Sequence, residues 1–111
     1  MSIPAVPAKE QWEPILDAGS DPYFEAMGKF AFDHAPHGLG VQRRFHSVVI
    51  VEYKVVDGVG KKYRLCLKLV ENVVAPHSKK YERLYVAIVL QKDDQSRELV
   101  SFDLVDLWPH A

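Results

Sequence analysis

The spacing of hydrophobic and polar residues changes once along this chain, near residue 41. Before it, Tyr23, Met27, Phe30, Ala31 and His34 recur at helical intervals, and Phe24 and Phe32 widen the apolar stripe. Asp21 suits an N-cap, Pro22 suits the first helical position, and Pro36 stops the run, with Gly38 and Gly40 just beyond. The spacing predicts one helix over residues 21–35. Gly28 in its middle costs about 1 kcal/mol relative to Ala, which a close approach between helix and sheet would explain. That much aromatic surface needs a broad partner, and a curved sheet covering Phe30 is the natural one.

After residue 41 the period becomes two. Val49, Val51, Tyr53 and Val55 fall on one face of a long strand, against Val48, Ile50, Glu52 and Lys54. Asp57-Gly58-Val59-Gly60 forms a hairpin turn in which both glycines can take positive φ. Tyr63, Leu65, Leu67 and Leu69 then alternate with Arg64, Cys66 and Lys68. A longer loop over residues 72–80 leads to a strand carrying Leu84, Val86, Ile88 and Leu90. The turn Lys92-Asp93-Asp94-Gln95 leads to a last strand over residues 99–104. Ahead of the helix, residues 11–16 make at most a short edge strand around Pro14.

The pattern gives an α+β fold: one helix packed across a curved antiparallel sheet of four or five strands. Sequential strands pair with each other. The 57–60 and 92–95 turns therefore share one end of the sheet, and the 72–80 loop lies at the other. Residues 1–10 read as a mobile arm ending in Ala8, Lys9 and Glu10. If the arm starts at the turn end, three segments line up along one edge.

Composition adds bounds. A chain of 111 residues is one domain with a single modest core. A net charge of -1 offers no general attraction for nucleic acid or acidic membranes. One cysteine, Cys66, excludes an internal disulfide. It lies between Leu65 and Leu67 and reads as a packing thiol. Nothing at the N-terminus resembles a signal peptide. The expectation is a cytoplasmic protein if the chain is whole, and a secreted one if a signal was removed. No cofactor is expected. His34 and His37 are too few for a metal centre. No nucleophile–base set, paired carboxylates or phosphate-binding glycine loop stands out, so an enzyme is not expected.

The helix segment Met27-Gly28-Lys29-Phe30-Ala31-Phe32-Asp33-His34 resembles the Leu-Ala-Arg-Phe-Ala-Val signature of the plant branch of the cystatin family. Trp12-Glu13-Pro14-Ile15 resembles that family's first strand, and Leu99 to Phe102 its last. Lys54-Val55-Val56-Asp57-Gly58 falls where the family carries Gln-Val-Val-Ala-Gly. The resemblance spans residues 12–102. It implies a reversible inhibitor of papain-like cysteine (thiol) proteases, with exchange of the first hairpin as a route to a dimer; the two glycines of the 57–60 turn relieve strain there, so mainly monomer is expected. It also implies a wedge that fills the protease cleft without chemistry. The wedge would comprise Ala8, Lys9 and Glu10 of the arm, Lys54, Val55, Val56, Asp57 and Gly58 of the first loop, and Lys92 and Asp93 of the second.

Several wedge positions depart from the family pattern. Ala8-Lys9-Glu10 stand in place of paired glycines, Asp57 replaces Ala, and Lys92-Asp93 replace Pro-Trp. Burying unpaired charge in a cleft costs several kcal/mol, and Trp is among the commonest interface anchors. Two functions follow. One is an inhibitor that is weakened or retargeted. The other is a non-inhibitory protein-binding module on the same fold.

Overall fold

The computed structural model describes residues 11–36, 41–73 and 79–105. The chain runs through a short strand β1 (Glu13–Ile15), a 3-10 turn (Ala18–Ser20) and one helix α1 (Pro22–His34). Four longer strands follow: β2 (Val41–Val56), β3 (Gly60–Val73), β4 (Lys79–Lys92) and β5 (Arg97–Leu104). All five strands form one antiparallel sheet in the order β1-β2-β3-β4-β5. The protein is thus α+β, with one helix across a five-stranded meander.

The helix starts and stops where local chemistry dictates. The Asp21 carboxylate accepts from the Tyr23 backbone N–H at 2.9 Å, and Pro22 occupies the first turn. Its buried residues are Phe24, Met27, Gly28 and Ala31. This corrects the expected stripe. Tyr23 is 41% exposed, His34 is exposed, and Phe30 and Phe32 are half-buried at the margin. Within this buried set, Gly28 and Ala31 let the axis approach the sheet. A Cβ on Gly28 would lie 2.7 Å from Val48 Cγ2 and 3.0 Å from Phe45 Cε1.

Under the helix, Tyr63, Leu65, Leu67 and Leu69 of β3 are all buried, as their alternation predicts. Two other strands depart from the expected faces. On β2 the register shifts between Phe45 and Ser47 and again between Val48 and Ile50. Each bulge inserts one residue and reverses the alternation. Val48 therefore joins Val51 in the core, and Val49 turns outward at 43% exposure. On β4 the core residues are Tyr85, Ala87 and Val89. Leu84, Val86, Ile88 and Leu90 occupy the opposite face, away from the helix, where Leu84 is 39% exposed. Both faces of β4 are apolar, so alternation alone gives it no direction.

Candidate functional site: the edge of hairpin turns

The β2–β3 turn closes with Val56 opposite Gly60, and the Val59 N–H donates to the Val56 carbonyl at 3.0 Å. Gly58 has φ of 76° and Gly60 has φ of 152°. A Cβ on Gly60 would lie 2.0 Å from the Gln91 carbonyl oxygen, so only glycine lets β3 start this close to β4. The β4–β5 turn is fastened just as tightly. The Lys92 N–H donates to the Ser96 carbonyl at 2.8 Å, and the Gln95 N–H donates to the Lys92 carbonyl at 2.9 Å. Asp94 accepts from the Ser96 N–H at 2.9 Å and from its hydroxyl at 2.5 Å. These Ser96 hydrogen bonds hold the Asp94 carboxyl below its usual range.

A backbone hydrogen bond joins the two turns, beside the pairing of Gly60 with Lys92. The Asp93 N–H donates to the Val59 carbonyl at 2.9 Å. The turns thus lie side by side at one end of the sheet, as meander alternation requires. The chain leaves β3 at Val73, at the end of the sheet away from these turns; residues 74–78 of the β3–β4 connection lie outside the described residues. β1 runs antiparallel to β2 with Glu13 opposite Tyr53, so its N-terminal side points toward the turns. Ala8, Lys9 and Glu10 lie outside the described residues, as do His37 and residues 106–111.

The remaining wedge positions separate into two groups. Lys54, Val55 and Val56 are strand residues, because β2 continues to Val56. Lys54 does not reach the tip. Its ammonium stacks over the Trp12 ring, 4.8 Å from the centroid, and the Arg64 guanidinium stacks on the same ring at 4.6 Å. Asp57, Gly58, Lys92 and Asp93 are exposed in the turns. Lys92 pairs with Glu98 at 3.7 Å, an exposed contact of small worth. Among the described residues, Asp57 and Asp93 have no ion pair.

The edge also carries apolar surface, at Val55 of the expected wedge and at Val59, which the sequence reading did not single out. Val55 is 47% exposed and Val59 is 39% exposed, so two valines project where the hairpin tips meet solvent. Val59 was legible as the third residue of a glycine-flanked turn, since such a residue has nowhere to bury itself. Elsewhere, Cys66 is fully buried, and burial pushes its thiol up to about 11. It keeps its proton at neutral pH and is no nucleophile there. The His34 Nδ1 lies 2.8 Å from the Phe30 carbonyl, a contact within the last helical turn. Among the described residues, no three His, Cys, Asp or Glu side chains gather to hold a metal, and no helix is long and apolar enough to cross a membrane.

The edge can therefore present a rigid, narrow ridge of two turns with exposed valines between solvated charges. No family model matches the chain, and no curated protein matches its sequence.

Proposed function

We propose that the protein is a reversible inhibitor of papain-like cysteine proteases, built on a cystatin-like fold with a weakened or retargeted wedge. The observation that carries this reading is the Asp93–Val59 backbone hydrogen bond, which aligns the two turns along one edge. A ridge made of two tied turns loses little conformational entropy when it enters a cleft. Val55 and Val59 supply apolar contact, and the backbone of Gly58 can approach a partner closely. Inhibition is occlusion: the ridge fills the cleft and substrate is excluded.

The turn charges set the strength. Asp57 and Asp93 are solvated in the unbound protein, so a cleft must strip them of water or pair them. This favours the second reading, a non-inhibitory binding module whose partner carries matching charge.

The inhibition constant against papain, measured for the native chain and for Asp57→Ala/Asp93→Trp, separates the two. The inhibitor reading expects weak inhibition by the native chain and a gain of about 2–4 kcal/mol in the double variant. If neither inhibits at high micromolar concentration, the binding module replaces it. If the native chain binds at nanomolar strength, the turn charges find partners in the protease and the weakened wedge is wrong.

A further inference from the structure

Behind the tips, on the helix side of the sheet, lies a notch of about 350 Å³. Tyr23 of α1 forms one wall, Lys61 and Tyr63 of β3 the floor, and Gln91 with Lys92 and Asp93 the other wall. Its polar groups are not evenly matched. The Gln91 side-chain oxygen accepts twice, from the Tyr23 hydroxyl at 2.7 Å and from Arg97 Nε at 3.1 Å. Two donors on one oxygen fix the amide's orientation. They leave the Gln91 NH2 group facing away from both, and it has no acceptor among the described residues. The Lys61 ammonium rests over the Tyr53 ring, 5.5 Å from its centroid, with no carboxylate paired to it among the described residues. The Lys61 side chain thus lines the notch with its exposed ammonium turned onto Tyr53, which neighbours the notch residue Tyr63 at 6.4 Å, and Gln91 adds an oriented N–H donor without a matching acceptor.

We infer that this notch takes a carboxylate, an Asp or Glu side chain of the protein that the turns engage, held between Lys61 Nζ and the Gln91 side-chain amide. The charge count favours a monoanion. Lys92 is already paired with Glu98, and the Asp93 carboxylate stands on the rim. Arg97, with its Nε on Gln91 and its guanidinium over the Tyr23 ring, offsets Asp93, so a phosphate dianion would meet a net single positive charge. A lone amide or hydroxyl would leave the ammonium uncompensated in a partly closed site. A carboxylate accepts from both groups at once, and a charge-assisted hydrogen bond is the stronger kind.

The wedge reading supplies only the source of this carboxylate, so the test has two arms. In the first, the 15N-labelled protein is titrated with acetyl-Ala-Glu-Ala-amide and, separately, with acetyl-Ala-Gln-Ala-amide. The glutamate peptide should move the Gln91 side-chain NH2 and the Lys61 amide saturably in the millimolar range, and the glutamine peptide should not. Lys61→Met keeps the stem over Tyr53 and should weaken the response about fivefold. Equal shifts with both peptides, or none at Gln91 and Lys61, overturn the carboxylate site. In the second arm, Lys61→Met should raise the papain inhibition constant about fivefold, with the difference shrinking in high salt. An unchanged constant overturns the partner as the source of the carboxylate. A native chain that fails to inhibit papain sinks the wedge reading, while the peptide titration still decides the notch.

Discussion

The two ends of the sheet carry the same kinds of residue and use them in opposite ways. At the end away from the turns, Glu71 is only 8% exposed. Its carboxylate accepts from Arg43 Nε at 2.9 Å and from the Tyr85 hydroxyl, with Arg83 Nε 3.5 Å away. The Arg43 guanidinium also stacks on the Tyr85 ring, 5.5 Å from its centroid. Burial and then Glu71 raise the Tyr85 phenol, which stays a neutral donor. At the turn end, Asp57 and Asp93 stand in water with no ion pair among the described residues. Neighbours, not residue type, decide the role. Buried acids with fixed donors shape the fold, and solvated acids on a rigid turn are available to a partner.

Removing Glu71 should have the largest effect on stability. Glu71→Ala strands Arg43 and the Tyr85 hydroxyl and should cost about 3 kcal/mol, read as a lower urea midpoint at unchanged slope. Asp57→Ala should change stability by less than about 0.5 kcal/mol. Similar losses at both sites would erase the contrast.

Gly28→Ala tests the body beneath both ends. Alanine gains about 1 kcal/mol of helix propensity. Its Cβ, however, would press on Val48 Cγ2 at 2.7 Å, and overpacking costs about 1–3 kcal/mol. The net result should be destabilisation of about 1 kcal/mol by the same urea measurement; a more stable variant would mean the helix is not seated this closely.

The smallest effects are two pH dependences of opposite sign. Asp94 is held low, so its folded carboxyl stays ionised at a pH where the unfolded chain has begun to take up a proton. Its contribution is present at neutral pH and fades as pH falls through the folded pKa, an effect that Asp94→Asn should remove from the acid side of the stability curve. Cys66 is pushed up from 9.0 to about 11. The unfolded chain then releases its thiol proton first, and stability declines as pH rises from 9.0 toward 11. Below that window Cys66 should resist a thiol-reactive dye until urea unfolds the protein. Rapid labelling of the native chain at pH 8 would contradict the burial.

Much of the framework was legible because it rests on local chemistry. Asp21 and Pro22 announce the helix start, Gly28 announces close packing, and the glycine turn announces the first hairpin. The bulges on β2 were not legible. An extra residue between Phe45 and Ser47 leaves no mark in composition, yet it turns Val48 inward and Val49 outward. The direction of β4 was hidden because Leu84, Val86, Ile88 and Leu90 compete with Tyr85, Ala87 and Val89 for the core. Phe30 fell to the margin because the helix turns Phe24, Met27, Gly28 and Ala31 toward the sheet. At the edge, turn alternation placed residues 57–60 and 92–95 together. The contact of Lys54 with Trp12 was not legible because only the folded sheet brings the two together. The Glu71 cluster joins residues 28 apart in sequence and has no local signature.

The central claim is that the turn edge, and not the Glu71 end or the sheet face away from the helix, is the surface that meets a partner. Amide spectra of the 15N-labelled protein, recorded with papain whose catalytic cysteine has been alkylated, test it most directly. The account predicts broadening or shifts concentrated at residues 55–60 and 92–96, with the amides around Glu71, Arg83 and Leu84 unmoved. Changes centred on Glu71 or on Leu84, Val86 and Ile88 of the face away from the helix, or no change at saturating papain, would contradict it.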